Sequence, residues 1–196
     1  MEQRNTSRIA TIAYIAAAVF FVRLLTFIFP GLSNSSAANA SAGTALVAEL
    51  ICILGLIPHL LLFPVVDALP APRWAKAAGY GWLVIDMATD IMQLNGVNST
   101  IYLSLKYGGH ISCAIWFAAA SWQAFGARRV IGLITAIDLF AFSLLNPLSR
   151  LMFLLLIPLI ILQPLWIALS GRALARQEQA ETREQAVPGT PVQQSR

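Results

Sequence analysis

Two carboxylates inside an apolar stretch are the first candidates for chemistry. The segment GYGWLVIDMATDIMQLNG (79–96) has the make-up of a membrane-crossing helix, yet it carries Asp86 and Asp90. In a helix, Asp86, Asp90 and Gln93 stand at i, i+4 and i+7 and share one face. A carboxylate at the centre of a bilayer costs at least ~2.5 kcal/mol, so it faces a polar interior rather than lipid. Two carboxylates one turn apart hinder each other's ionisation, and a carboxyl that keeps its proton serves a proton relay or a general acid.

Other ionisable groups fall at comparable depth when the helical rise is counted from the ends of the apolar runs. Arg23 lies about 9 Å and Glu49 about 8 Å below the outer ends of their runs, with Lys106 near the outer surface and His110 one turn deeper. These groups and Asp90 share the outer half, and Asp86 lies beneath them. Opposite charges at one depth on neighbouring helices can pair, which makes their burial tolerable. The expected site is therefore a polar pocket open to the outer side, floored by Asp86 and built from Asp86, Asp90, Glu49, His110, Arg23 and Gln93.

Specific chemistries can be tested against this set. His59 and His110 are the two histidines, about 12 Å and about 24 Å from the inner face, too far apart in depth to share a haem iron. An Asp-x-x-x-Asp face with a nearby histidine offers ligands that a divalent metal accepts, but Lys106 beside it argues against one. No metal and no cofactor is expected. H-E-x-x-H, G-x-S-x-G and Walker sequences are absent. Cys52 and Cys113 fall inside apolar runs and read as small buried residues.

The elements that must position these residues are transmembrane helices. The 196-residue chain is 58% apolar and 11% charged, with a mean hydropathy of +0.70. Soluble domains carry about 25% charged residues. Apolar blocks near the length that crosses a ~30 Å hydrocarbon core predict an all-α polytopic bundle of six spans: 9–29, 44–66, 77–94, 101–125, 130–145 and 151–170. A cytoplasmic tail, partly disordered, is expected over 171–196. The first run, with Arg23 inside it, is too long for the 7–15-residue core of a secretory signal and reads as a retained span. The sixth, with Pro158 and Pro164 and no ionisable residue, reads as a lipid-facing wall.

Arg4, Arg8, Arg73, Lys76, Arg128, Arg129, Arg172 and Arg176 fall at one side, and Lys106 and Arg150 at the other. That bias places both termini in the cytoplasm of a multi-pass cell-membrane protein. Trp74, Trp122 and Trp166 are expected at the inner interface, and Tyr102 and Tyr107 at the outer one. The N-x-S/T triplets at Asn34, Asn39 and Asn98 fall in outer loops. The basic residues form no patch that would bind nucleic acid. Membrane lipids and a small solute or proton are the expected partners, and the sequence sets no oligomeric state.

The opening SRIATIAYIAAAVFFV, the run AANASAGTALVAEL into the second span and FGARRVIGLITAI into the fifth resemble, in layout over most of the chain, a family of bacterial six-span integral membrane proteins known only as a domain of unknown function. The resemblance implies a six-span fold and brings no residue roles. The residues themselves lead to an acidic pocket that binds or moves a small solute, coupled to protons. The alternatives are an intramembrane enzyme using a protonated carboxyl on a lipid-like substrate, and an assembly subunit whose charges pair with another chain. A lateral opening beside Asp86 would mark the enzyme, a water path to the inner side through Asp138 and His59 the carrier, and an outward-facing Asp86 the subunit.

Overall fold

The computed structural model describes residues 3–28, 42–145 and 153–186, and within them every regular element is helical. Helix α1 is Gln3–Leu25 and runs into a 3-10 turn, Thr26–Ile28; α2 is Ala42–Ala68, α3 Arg73–Leu94, α4 Ser99–Trp122, α5 Gly126–Leu145 and α6 Phe153–Ala186. Asn34, Asn39, Arg150 and residues 187–196 lie outside the described residues.

Short, chemically explicit turns set the antiparallel order. Pro72, extended at φ −63° and ψ 153°, starts α3, since a proline ring is suited to a helix start and unable to continue one. The end of α3 is a Schellman turn: Gly96 takes φ 71°, its N–H donates to the Gln93 carbonyl at 3.1 Å, and the Val97 N–H reaches Met92 O at 3.0 Å. Two residues later the Asn98 side chain caps α4 by accepting from the Thr100 N–H at 2.9 Å.

Each helix packs mainly against its neighbours in sequence, and α1 packs against α6, so six helices close into a ring. The α1–α6 seam is built on small residues. Ala10, Ala13, Ala16 and Ala17 are buried, and a Cβ at Gly171 would stand 3.0 Å from Ala13 Cβ and 3.1 Å from the Ala10 carbonyl. Small residues let helix backbones approach this closely. At one end the interior is filled by aromatic rings: Trp82 stacks on Trp116 at 5.9 Å, and Phe117 lies 4.3 Å from Trp166.

The outer surface reverses the pattern of a soluble bundle. Leu46, Leu50, Ile53, Ile57 and Leu60 form an exposed stripe along α2, and Leu154, Ile157, Ile161 and Leu165 another along α6, while Arg23, His59, Asp86 and Asp90 are buried. Long apolar faces of this kind mark a surface made for lipid or protein contact. Among the described residues, Thr6–Ile28, Leu46–Ala68 and Leu154–Ala180 are long and apolar enough to cross a membrane. Helices α3 and α4 carry their charged residues inward or at their ends, whereas α5 holds Asp138 half-buried within its length.

Three expectations change. Helix α6 continues to Ala186, because nothing after Ser170 breaks a helix and its charged last turns can stand in water. Leu156, Leu159 and Gln163 of α6 also line the interior, so this helix is a wall with two faces. Trp74 and Trp122 are exposed near one end, as expected, but Trp166 is buried in the aromatic core and Tyr102 and Tyr107 turn toward the interior.

Candidate functional site

The ring encloses a cavity of about 260 Å³ to which all six helices contribute. Its wall is mainly apolar: Phe20, Leu24 and Phe27 from the α1 end, Leu139 and Phe142 from α5, Leu156 and Leu159 from α6. The lining residues Phe27, Gln93, Tyr102, Leu103 and Lys106 are partly exposed, whereas Trp82 and Asp86 are buried. The cavity therefore reaches the surface where α3 ends and α4 begins, and closes on the aromatic core.

Helix α3 supplies the polar spine. Trp82, Asp86 and Asp90 stand at i, i+4 and i+8, one stripe turned inward, with Asp86 3% and Asp90 2% exposed. Each carboxylate has its own company. Asp90 Oδ1 accepts from Lys106 Nζ at 2.7 Å and lies 3.6 Å from Arg23 Nη2. Arg23 is held in place by donating from Nη1 to Thr26 Oγ1 at 2.9 Å and by lying 4.6 Å over the Phe27 ring. The guanidinium therefore turns into the bundle. The Cys52 thiol donates to the Asp90 backbone carbonyl at 3.2 Å.

Asp86 has no permanent cation in contact. Its Oδ2 accepts from Trp82 Nε1 at 2.9 Å and faces His59 Nε2 at 3.2 Å and His110 Nε2 at 3.4 Å. The remaining oxygens, Asp86 Oδ1 and Asp90 Oδ2, are buried without a hydrogen-bond partner among the described residues. Both press on glycines. A Cβ at Gly55 would collide with Asp90 Oδ2, and one at Gly109 would stand 3.3 Å from Asp86 Oδ1. Gly55 thus makes room for the Asp90 carboxylate, and Gly109 for the Ile85 side chain, which would stand 2.8 Å from a Cβ there, with Asp86 just behind it.

His59 carries a constraint on protons. Its Nδ1 lies 2.6 Å from the Gly55 carbonyl, which can only accept, so Nδ1 bears a hydrogen. A neutral His59 would then point the Nε2 lone pair at Asp86. A hydrogen bond between Nε2 and Asp86 Oδ2, 3.2 Å apart, then needs one further proton, on either atom.

Of the expected site residues, Asp86, Asp90, His110, Arg23 and Gln93 all line the cavity. Glu49 does not. It is exposed one turn beyond Cys52, where Leu46, Val47 and Leu50 are exposed as well and the ring does not cover it. Sequence reasoning missed His59, Trp82 and Gln163. Trp82 was legible as the next position up the Asp86–Asp90 stripe. His59 was set aside by the depth count that also argued against a shared haem, and the two imidazoles in fact meet at one carboxylate oxygen. No group of three His, Cys, Asp or Glu side chains suited to a metal occurs among the described residues. Asp138 is half-buried and lies outside the cavity, with its Oδ2 lacking a partner among the described residues.

The arrangement can do two things chemically: bind a small molecule with an apolar body, and hold a proton at its closed end. In comparisons with known proteins, no protein family, no curated protein and no solved structure matches this chain.

Proposed function

We propose that the chain is a six-span membrane protein with both termini cytoplasmic, whose cavity binds a small solute and holds an exchangeable proton between Asp86 and His59. The observation that carries the reading is the contact pattern at Asp86, where Trp82 Nε1, His59 Nε2 and His110 Nε2 converge on one oxygen at the closed end of the cavity. The interior position of both carboxylates favours it over an assembly subunit, which would turn them outward. The inverted surface supports the membrane setting for α3, α4 and α5 together with the three more apolar helices. Arg73, Lys76, Arg128, Arg129 and Arg172 gather at the end opposite the cavity mouth, with exposed Trp74 and Trp122, as cytoplasmic ends do. Movement of solute across the membrane would require the Trp82–Trp116–Trp166 core to repack, so binding from the mouth side is the primary act.

The two histidines make the test direct. With ¹⁵N-labelled imidazoles, His59 and His110 give separate signals. His59 Nδ1 should carry the hydrogen that faces the Gly55 carbonyl, and both rings should show Nε2 signals displaced by their contact with Asp86. Asp86→Asn should shift both Nε2 signals while the protein stays folded. Nε2 signals unchanged in Asp86→Asn would overturn the proton site. For topology, a cysteine at Ser99 should react with an impermeant reagent from outside and one at Thr182 should not; the reverse labelling would refute the orientation.

A further inference from the structure

Helices α5 and α6 line the cavity with Leu139, Phe142, Leu156 and Leu159 and with one polar side chain, Gln163. A glutamine in an apolar wall needs a reason, because a buried amide has two donors and an acceptor to satisfy. Gln163 is 5% exposed and hydrogen-bonds to no described residue. The aromatic core fixes its level. Trp82 and Trp166 both pack on Trp116, at 5.9 Å and 5.3 Å. Asp86 stands four residues from Trp82 toward the mouth, and Gln163 three residues from Trp166, about 6 Å and about 4.5 Å along their helices. The amide and the carboxylate therefore share the closed end of the cavity, one from α6 and one from α3.

Charge and hydrogen bonding restrict what a ligand can bring there. Arg23 and Lys106 equal Asp86 and Asp90 in number, so the permanent charges of the lining sum to zero. An ion would carry an unmatched charge into this closed end, and a neutral head would not. The surplus at this end is of acceptors: Asp86 Oδ1 and Asp90 Oδ2 have no partner among the described residues, and the Gln163 carbonyl joins them. A head that only accepts leaves all of these unmet, whereas one that donates and accepts can pair with both sides of the Gln163 amide. The rest of the wall is aliphatic and aromatic, and offers contact area to an apolar body.

We propose that the cavity takes a neutral amphiphile whose head both donates and accepts hydrogen bonds, primary amide in type, on a compact hydrocarbon body. The head pairs with the Gln163 amide and the body lies against Phe20, Phe142 and Leu159. This rests on the reading of the cavity as a binding site and adds its selection rule: neutral molecule before either ion, and donor before acceptor alone.

The test compares four probes of one skeleton and nearly one shape: hexanamide, methyl pentyl ketone, hexanoate and hexanamidinium. The ketone is neutral and accepts but cannot donate; the last two are the anion and the cation. Each is titrated calorimetrically into full-length protein in zwitterionic nanodiscs at neutral pH, with empty nanodiscs subtracted. Hexanamide should bind about tenfold more tightly than either ion, a difference of about 1.4 kcal/mol. Gln163→Met removes the amide and keeps a side chain of similar size. It should weaken hexanamide about tenfold relative to the ketone, the scale of one hydrogen bond. Either ion binding as tightly as hexanamide, which the unchanged protein alone decides, would overturn the neutral rule and leave the binding cavity standing. Hexanamide and the ketone responding alike to Gln163→Met would overturn the pairing with Gln163, again with the cavity standing. No heat from any of the four would overturn the cavity reading and the rule together.

Discussion

Asp90 and Asp86 are one helical turn apart on the same face of α3, and they are held in opposite ways. Asp90 sits between two permanent cations, Arg23 and Lys106. Its carboxylate is locked between them. Asp86 instead faces three rings: His59, His110 and Trp82. The same residue type thus meets permanent cations at one turn and ring nitrogens at the next. What differs is the partner each neighbouring helix brings, Lys106 one turn before His110 on α4, and Arg23 against His59 from α1 and α2. A pair that reads in the sequence as a single acidic unit is two sites with separate duties.

The largest expected effect comes from removing the locked anion. Asp90→Leu leaves Arg23 and Lys106 buried without a counter-charge, which should cost about 3–5 kcal/mol. Reversible unfolding in mixed micelles would measure it. The triple change Arg23→Met, Asp90→Leu, Lys106→Met should recover most of that loss. If Asp90→Leu is harmless, the locked half of the comparison is wrong. Next comes Gly55→Ala, whose methyl group would run into Asp90 Oδ2 and stand 3.1 Å from Arg23 Nε. Crowding a packed site in this way costs about 1–3 kcal/mol, read in the same unfolding assay.

Asp86→Asn sharpens the contrast from the other side. It keeps the size and an acceptor for Trp82 and strands no permanent cation. Its loss of stability should be about 1 kcal/mol, the scale of one hydrogen bond, and well below that of Asp90→Leu. An equal loss in the two would erase the distinction. The smallest effect is expected at Glu49→Gln, since an exposed side chain outside the site usually changes stability by less than about 0.5 kcal/mol. The thermal midpoint should match that of the unchanged protein; a clear drop would mean that Glu49 holds a partner its exposed position does not show.

Much of this site is legible in sequence because charge in an apolar run has few places to go. Asp86, Asp90, Arg23 and Lys106 turn inward, and the i, i+4 arithmetic of α3 needs no tertiary information. The misplaced histidines show where that arithmetic fails. Depth was counted from the ends of apolar runs, and helices end elsewhere. The apolar run of α4 was read to 125, whereas the helix stops at Trp122; α3 begins at Arg73, four residues before its apolar run. Counted from these helix ends, His110 lies about 18 Å and Asp86 about 20 Å along their helices, level with one another. Hydropathy marks where lipid contact starts, and hydrogen bonds decide where a helix does. The closing of the ring was not legible at all. No pattern within α1 or α6 names the other as its neighbour, though both carry the small residues that let them meet.

That closure has a consequence for how the protein is made. Apart from α1–α6, the extensive helix–helix packings among the described residues join helices consecutive in the chain, so hairpins can form as each pair emerges, with little loop entropy to overcome. The α1–α6 seam is the exception and must wait for the last helix. A nascent chain ending at Leu145 already holds Arg23, His59, Asp86, Asp90, Lys106 and His110, but its ring is open along one side. Synthesis of α6 converts a charged cleft open along its side into a cavity entered only from its mouth. Until then, such a chain is the one a membrane quality-control protease would find easiest to recognise.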